Sequence, residues 1–293
     1  MANILITGAN GQLGSEFKQI SGLTDNHFIF TDINELDITD NEAVNIFFKS
    51  RRIDFIINCA AYTAVDKAEN EQEQARLINV KAVENISHAA KENNCYLIHI
   101  STDYVFDGKN YKPYIEEDMV SPQSVYGKTK LEGEKIMESY AKGLIIRTSW
   151  LYSSFGHNFV KTMLRMGKER GELNVVFDQI GTPTYAADLA GAILEIIKQT
   201  ITNSKKIIPG IYHYSNEGVC SWYDFSKEIM DLDEINCKVN PIESKDYPTP
   251  AKRPFYSVLN KEKIKSVFGI EIPYWKDSLN ECIKLIKNGM VKK

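Results

Sequence analysis

The first 150 residues alternate short apolar runs with longer amphipathic segments, and this alternation restricts the fold more than any other feature of the chain. The runs are rich in β-branched residues and apolar on both faces, which is typical of strands in a parallel sheet covered on both sides. They lie at Ile4–Thr7, Phe28–Thr31, Phe55–Asn58, Tyr96–Ile100 and Leu144–Arg147. Apolar residues then recur every three or four positions over Gln74–Glu92, which predicts a helix there. The pattern predicts an α/β fold built on a doubly wound parallel sheet.

The pattern changes after Trp150. Periodicity predicts helices over Asn158–Arg170, Asp188–Lys198 and Trp222–Asp231, with strands at Leu173–Phe177 and Gly210–Tyr214. The segment Asn240–Val258 holds four prolines and is predicted to be extended and irregular. We therefore expect a cofactor-binding domain over residues 1–150 plus about 172–215. A smaller, interleaved substrate lobe would take about 151–171 plus 216–293.

A glycine-rich turn follows the first strand and opens a helical segment. Its glycines are Gly8, Gly11 and Gly14, in the spacing G-x-x-G-x-x-G. Such a turn lets the backbone approach a pyrophosphate closely at a helix N-terminus. Asp32 ends the second strand, 24 residues after Gly8, close to the separation expected for a ribose-binding acid. Together these features predict a Rossmann-type dinucleotide site rather than a merely structural turn.

The acid at the end of the second strand also bears on the choice of cofactor. Asp32 can accept hydrogen bonds from the ribose hydroxyls of NADH and would repel the 2′-phosphate of NADPH. The residues just behind it supply no Arg or Lys, so we expect NADH to be favoured, with NADPH possible. Two roles stay open for Asp37: N-cap of the next helix, or contact with adenine together with Ile38.

The catalytic prediction rests on Tyr126 and Lys130, which form a Y-x-x-x-K pattern. Residues four apart share one face of a helix, so the phenol and the ammonium would face the same site. The ordinary pKa of tyrosine is about 10, and an adjacent ammonium is expected to lower it. Thr102, at the carboxyl end of the fourth strand, is our candidate to bind the substrate carbonyl. Ser101 is its competitor, and is otherwise expected beside the cofactor.

These features, together with the block N-C-A-A-Y-T-A-V-D-K-A-E (58–69), resemble the extended short-chain dehydrogenases/reductases. Further blocks resemble, more narrowly, the dTDP-4-dehydrorhamnose reductase family. They are S-T-D-Y-V-F-D-G (101–108), Y-G-K-T-K-L-E-G-E (126–134), R-T-S-W-L-Y (147–152), N-F-V-K-T-M-L-R-M (158–166), D-Q-I-G-T-P-T (178–184) and R-P-F-Y-S-V-L (253–259). The resemblance implies reduction of the 4-keto group of dTDP-4-dehydro-L-rhamnose to dTDP-L-rhamnose, with the proton supplied by Tyr126.

The resemblance also implies binding residues. The cofactor would be lined by Gly11, Gln12, Leu13, Asp32, Asp37, Ile38, Ala60, Ala61 and Tyr62, and the sugar nucleotide by Thr102, Asp103 and Trp150. Lys252 and Arg253, in the proline-rich segment, are candidates for the substrate pyrophosphate, for which the arginine fork is suited. Two alternatives remain. One is another sugar-nucleotide epimerase or dehydratase of the superfamily. The other is a non-catalytic regulatory subunit of the methionine adenosyltransferase type, which would have no need of Thr102, Tyr126 and Lys130 together.

Composition argues against several other classes of protein. The net charge is −4 and no basic block is present, so we expect no nucleic-acid partner. No apolar run reaches the roughly 20 residues that span a bilayer, and the N-terminus shows no signal-type stretch, so we expect a cytoplasmic protein without a membrane contact. The five cysteines are widely spaced and the five histidines form no ligand-spaced pair, so no metal site is predicted. Carboxylate-bound magnesium at an interface and a homodimer stay open, and Lys292-Lys293 is expected to be a solvated tail.

Overall fold

The computed structural model describes residues 1–138, 140, 142–202 and 208–289, so the lysine pair at the C-terminus lies outside the described residues. The strands are β1 Asn3–Thr7, β2 His27–Thr31, β3 Phe55–Asn58, β4 Tyr96–Thr102, β5 Gly143–Thr148, β6 Leu151–Tyr152, β7 Glu172–Val176, β8 Ile180–Gly181, β9 Thr184–Tyr185, β10 Gly210–His213, β11 Cys220–Ser221 and β12 Lys238–Ile242. The α-helices are α1 Gln12–Ile20, α2 Asn41–Lys49, α3 Val65–Ala68, α4 Gln72–Arg76, α5 Ala82–Glu92, α6 Val125–Glu138, α7 Phe159–Glu169, α8 Ala186–Thr202, α9 Trp222–Leu232, α10 Glu262–Phe268 and α11 Trp275–Lys287.

The central sheet has six strands in the order β10-β5-β4-β3-β1-β2, and every neighbouring pair is parallel. The five predicted strands of the N-terminal half and the predicted strand at 210 all lie in it. Successive residues of a strand point to opposite faces. Ile4 and Ile6 therefore pack with α1 and α8 in one core, whereas Leu5 packs with α2 and α5 in another. Both faces are covered, which confirms the doubly wound α/β sheet.

The predicted helix over Gln74–Glu92 is helical along its length but not uniform. A π-helical segment, Leu77–Lys81, separates α4 from α5. It contains Asn79, which is buried. The backbone carbonyl oxygen of Asn79 leaves no room for a side chain at Gly133 of α6, because a Cβ at Gly133 would stand 2.4 Å from it. Such π segments often occur at functional sites. This one lies between α6 and the loop that follows β3.

The C-terminal part forms a second core around α7, α9 and α11. The strand predicted near 173 exists as β7, but it pairs in parallel with β12 instead of joining the central sheet. The proline-rich segment is therefore not irregular throughout, since its first residues belong to β12. Pro241 is accommodated in that strand because β12 has β7 on one side only. The division into two domains at the boundaries given above stays a prediction.

Two smaller outcomes concern caps and membranes. The cap of α2 is Asp40, whose carboxylate accepts from the amides of Glu42 and Ala43, so the N-cap role considered for Asp37 is wrong. Asp37 instead accepts from the amide and hydroxyl of Thr39. Within the described residues, no helix is both long and apolar enough to cross a membrane.

Candidate active site

A cleft of about 870 Å³ opens at the carboxyl ends of β1, β3, β4 and β5. Ligands bind at this edge in doubly wound sheets, because the loops that leave the strands diverge there. Most of the predicted site residues line it: Gly8, Gly11, Gln12, Leu13, Gly14, Ala61, Ser101, Thr102, Asp103, Tyr126, Lys130, Trp150 and Arg253. The structure thus brings the predicted cofactor, catalytic and substrate residues to one cavity.

The glycine turn is shaped so that side chains are excluded from it. Gly8 has a φ of +64°, and a Cβ there would lie 2.7 Å from the backbone of Ala60. At Gly14 a Cβ would lie 2.5 Å from the carbonyl oxygen of Gly8. The N-terminus of α1 follows at Gln12, and the first amides of a helix have no acceptors within the helix. The turn therefore fits a dinucleotide pyrophosphate laid against the start of α1.

Asp32 stands beside this turn and is held by backbone amides. Its Oδ2 accepts from the amide of Asn10 at 2.9 Å, and its Oδ1 accepts from the amide of Ile33 at 2.9 Å. The structure also reveals a nearby cation that sequence reasoning missed, since Lys18 Nζ donates to Asn10 Oδ1 at 2.8 Å. Lys18 lies eight residues after Asn10, whose amide donates to Asp32. Asn10 therefore bonds both to the Asp32 carboxylate and to the Lys18 ammonium.

Tyr126 lies in the first turn of α6, against Tyr104, with their ring centroids 5.5 Å apart. The helix approaches this closely because Gly127 has no side chain: a Cβ there would stand 2.3 Å from the carbonyl oxygen of Tyr104. Burial raises the pKa of Tyr126 above its usual value, the Thr102 hydroxyl opposes part of that rise, and Asp103 and Tyr104 add to it. The prediction that Lys130 lowers this pKa is wrong, because the ammonium is turned toward β4.

Lys130 is buried and bonded on the sheet side. Its Nζ donates to the carbonyl oxygen of Ile100 at 2.7 Å and lies 3.2 Å from Nε2 of His99. Burial lowers the pKa of Lys130 to about 8, while Glu134 and Cys59 act to raise it. Two of the three N–H directions of the ammonium are thus taken by the protein, and one remains for a ligand in the cleft.

The two hydroxyls that competed for the carbonyl-binding role have different partners. Ser101 donates to Glu134 Oε1 at 2.5 Å, and Glu134 is bound in turn by Arg147. Thr102 donates to Asp103 Oδ1 at 3.0 Å and borders Tyr126. The other oxygen of Asp103, Oδ2, is buried without a hydrogen-bond partner, and burial raises the pKa of this carboxyl to about 7. The geometry favours Thr102 over Ser101 as the group available to a substrate carbonyl.

Trp150 is held by features that lie far apart in the sequence. Its backbone is left-handed, with a φ of +48°, and its ring stacks on Trp222 at a centroid distance of 3.6 Å. Gly181 makes room for the same ring, since a Cβ there would stand 2.6 Å from it. A left-handed conformation is strained for tryptophan and persists only when the surroundings enforce it. Trp222 also lines the cleft and was not predicted; the sequence carries no signal for a partner 72 residues away.

Arg253 lies where the cleft meets a second cavity of about 910 Å³. Its guanidinium donates to Asp66 Oδ2 at 2.5 Å and to the Tyr104 hydroxyl at 3.1 Å. The second cavity is lined by Met163, Leu173, Val175, Gln179, Tyr247 and others, and shares Arg253 and Trp222 with the cleft. Lys252 is turned outward, with its Nζ 3.5 Å from Gln123 Oε1.

Some predicted cofactor residues do not line the cleft: Asp32, Asp37, Ile38, Ala60 and Tyr62. Ile38 is buried in the core against α2 and α5. The amide of Tyr62 donates to the Asn79 side chain at 2.9 Å, and Asn79 Nδ2 donates to the Thr129 hydroxyl at 3.1 Å. Asn79 therefore joins the loop after β3 to the catalytic helix, a role that sequence reasoning missed. The described part of the chain contains no group of three or more His, Cys, Asp or Glu side chains placed to hold a metal ion.

A parallel sheet with a dinucleotide turn at one end of its cleft, and a tyrosine–lysine pair on the adjoining helix, defines a class of protein. It is a nicotinamide-dependent oxidoreductase of the short-chain dehydrogenase/reductase type. The family model described as the RmlD substrate binding domain matches residues 1–288, and the chain belongs to that family.

Named relatives cover almost the whole chain. A protein of Aggregatibacter actinomycetemcomitans named dTDP-4-dehydrorhamnose reductase is 43% identical over 290 residues, covering 95% of this chain and 97% of its own. The crystal structure of a dTDP-4-dehydrorhamnose reductase from Clostridium acetobutylicum is 47% identical, with a TM-score of 0.92 over 97% of this chain and 99% of its own. A Bacillus anthracis dTDP-4-dehydrorhamnose reductase, solved in complex with NADP, is 38% identical with a TM-score of 0.91, over 97% and 99%. The nicotinamide cofactor class therefore agrees with that predicted from the glycine turn.

Proposed function

We propose that this protein reduces the 4-keto group of dTDP-4-dehydro-L-rhamnose to the hydroxyl of dTDP-L-rhamnose at the expense of NADH or NADPH. The observation that carries the proposal is the meeting of Tyr126, Thr102 and Lys130 at one wall of the cleft, next to the glycine turn. The names of relatives at 43% and 47% identity support the substrate. The second cavity beyond Arg253 gives a nucleoside diphosphate space next to the sugar.

The residues divide the work of carbonyl reduction among them. The nicotinamide, when bound, supplies the hydride that reaches C4 of the sugar. Thr102 holds the carbonyl oxygen by turning its hydroxyl proton from Asp103 toward it, and Tyr126 delivers the proton that converts this oxygen to a hydroxyl. Lys130 keeps its ammonium beside this helix face, where the remaining N–H can hold the ribose of the cofactor. Trp150, fixed by Trp222, covers the sugar from the far side.

The raised pKa of Tyr126 suits this direction of reaction. A phenol that remains protonated at neutral pH can act as an acid, whereas a phenolate can only accept a proton. After turnover Tyr126 must regain its proton before it can act as an acid again. Tyr126 then acts as a proton donor rather than as a permanently ionised phenol.

The test uses purified protein with dTDP-4-dehydrorhamnose and either nicotinamide, following the loss of reduced-cofactor absorbance. One cofactor should be oxidised for each sugar reduced. Tyr126→Phe should keep its affinity for the reduced cofactor and lose about 100-fold or more of kcat, the usual contribution of a general acid. Turnover without net cofactor oxidation would point to an epimerase or dehydratase, and unchanged activity in Tyr126→Phe would remove Tyr126 from the reaction.

We also propose that NADH is preferred while NADPH is accepted. Asp32, held by two backbone amides, is placed to bind ribose hydroxyls and to repel a 2′-phosphate. Lys18 bonds to Asn10, the residue whose amide donates to Asp32, and its charge offsets part of that repulsion. Asp32→Ser should lower kcat/KM for NADH and raise it for NADPH. Lys18→Met should lower kcat/KM for NADPH and leave that for NADH unchanged. Ratios of kcat/KM that do not move in either variant would contradict this assignment.

A further inference from the structure

A row of buried polar side chains crosses the central sheet and ends at Lys130. Thr7, Asn58 and His99 are register partners on β1, β3 and β4. Thr7 Oγ1 lies 2.7 Å from Asn58 Oδ1, and Asn58 Nδ2 lies 3.1 Å from His99 Nδ1. The other ring nitrogen of His99 lies 3.2 Å from Lys130 Nζ. Polar groups buried in an otherwise apolar sheet are costly unless they are fully paired, so the row calls for a consistent assignment of donors and acceptors.

The charge of Lys130 decides that assignment. An ammonium only donates, so Nε2 of His99 has to accept from it, and a neutral imidazole then carries its proton on Nδ1. Nδ1–H in turn requires an acceptor, which the Asn58 side chain provides only when Oδ1 faces His99. The amide oxygen and nitrogen have nearly the same shape, so the amide fits either way round. The orientation with Nδ2 toward His99 suits a neutral lysine; the opposite one suits the ammonium.

The charged groups around Lys130 favour the ammonium at neutral pH. Glu134 on the same helix and Cys59 after β3 oppose the effect of burial, and the pKa of Lys130 lies at about 8. Burial and the charge of Lys130 hold the pKa of His99 well below its usual value, so this ring stays neutral. Tyr126, one turn before Lys130, is protonated in the same range. His99 and Tyr126 therefore keep their charge states, and only the tautomer of His99 can change with the protonation state of Lys130.

We propose that His99 is a positioning residue for Lys130, and that Asn58 selects the Nδ1–H tautomer by which His99 accepts from the ammonium. In this arrangement hydrogen bonds run in one direction, from Lys130 through His99 and Asn58 to Thr7. The Ile100 carbonyl and His99 then fix two N–H directions of Lys130, which leaves the third toward the cleft. The assignment of that third N–H to the cofactor ribose rests on the proposed function; the tautomer does not.

The first test needs no substrate or cofactor. Long-range proton–nitrogen NMR of protein labelled with ¹⁵N-histidine distinguishes the two neutral tautomers, and loss of a signal in His99→Gln assigns it. At pH 7 the wild-type ring should be neutral with its proton on Nδ1. Asn58→Leu removes the acceptor and should move the population toward Nε2–H. A wild-type ring that carries its proton on Nε2 at pH 7, or that is insensitive to Asn58→Leu, would overturn the proposal.

The second test measures the affinity for NADPH by fluorescence at pH 7. His99→Leu should weaken binding about tenfold, because a hydrogen bond to a charged group is lost. His99→Gln keeps an acceptor and should recover most of the affinity. His213→Leu is the matched control, since His213 is also buried in the sheet, but on β10, two strands away from β4. Equal weakening in His99→Leu and His213→Leu would overturn the proposal. Wild-type protein that binds NADPH, shows the Nδ1–H tautomer and does not reduce the ketosugar would refute the proposed function alone.

Discussion

The ion pair between Arg147 and Glu134 lets the energetics of the site be tested directly. Arg147 donates from Nε to Glu134 Oε1 at 2.9 Å and from Nη2 to Oε2 at 2.7 Å, and the two side chains are only 2% and 0% exposed. We consider Arg147→Leu, which removes the positive charge and leaves Glu134 in place. Glu134 would keep the Ser101 hydroxyl as a neutral partner but lose both charged hydrogen bonds. A buried carboxylate would then remain beneath the active site without a charged hydrogen-bond partner.

The expected cost follows from this burial. Breaking a fully buried, bidentate pair from one side destabilises a protein by about 3–5 kcal/mol, most of it the cost of the orphaned charge. At roughly 2 °C for each kcal/mol in a chain of this size, the Tm should fall by about 6–10 °C. The double variant Arg147→Leu/Glu134→Leu removes both charges and should cost less than the sum of the two single changes.

The measurement is equilibrium unfolding in urea, with midpoints and slopes compared between variants. Arg165→Leu is the control, because Arg165 forms a helix-surface pair with Glu169 in which the side chains are 60% and 54% exposed. Pairs of that kind contribute less than about 0.5 kcal/mol. If Arg147→Leu were no more destabilising than Arg165→Leu, the buried pair would contribute no more to stability than a surface pair.

Two further predictions concern the cleft itself. The pKa of Asp103 is raised by burial from 3.8 to about 7, so between these values the folded state holds a proton that the unfolded state has released. The free energy of unfolding should fall by up to about 4 kcal/mol as pH rises from 4 to 8. Urea titrations at several pH values should show that Asp103→Asn flattens this dependence of the free energy of unfolding on pH. An equal dependence in both proteins would contradict the burial argument. Gly14→Ala places a Cβ 2.5 Å from the Gly8 carbonyl oxygen, so it should abolish measurable NADPH binding in a fluorescence titration. Gly22→Ala is the control and should leave binding intact, because no atom lies within 4 Å of the added Cβ.

The parts of the fold that could be predicted are those encoded by neighbouring residues. The strands of the central sheet were visible as apolar runs, the glycine turn as a spacing, and the shared face of Tyr126 and Lys130 as a helical interval. Strand pairings between segments far apart in the chain are made by tertiary packing, and they left no such pattern in the sequence. The strand over 172–176 has an ordinary strand sequence, and its partner β12 begins only at Lys238.

The same limit separates the predicted site from the observed one. The distance from the glycine turn predicts Asp32, but it does not predict that Asn10 bonds both to Asp32 and to Lys18 in the folded chain. Trp150 was identified, whereas the stacking partner that fixes it comes from α9. The pKa of Tyr126 was expected to fall because Lys130 is near in sequence, but the orientation of the ammonium depends on β4.

The four-residue interval between Tyr126 and Lys130 therefore places their side chains on one helix face. The contacts that these side chains make with the central sheet then set their charge states. Glu134, one turn further along α6, acts to raise the pKa of Lys130 against the effect of burial. Glu134 is held in place by Arg147 on β5. Loss of Arg147 should then act on Lys130 as well as on stability, because Glu134 would be free to take up a proton or to turn away. A residue with no contact to the cofactor thus sets part of the electrostatic field in which the proton donor works.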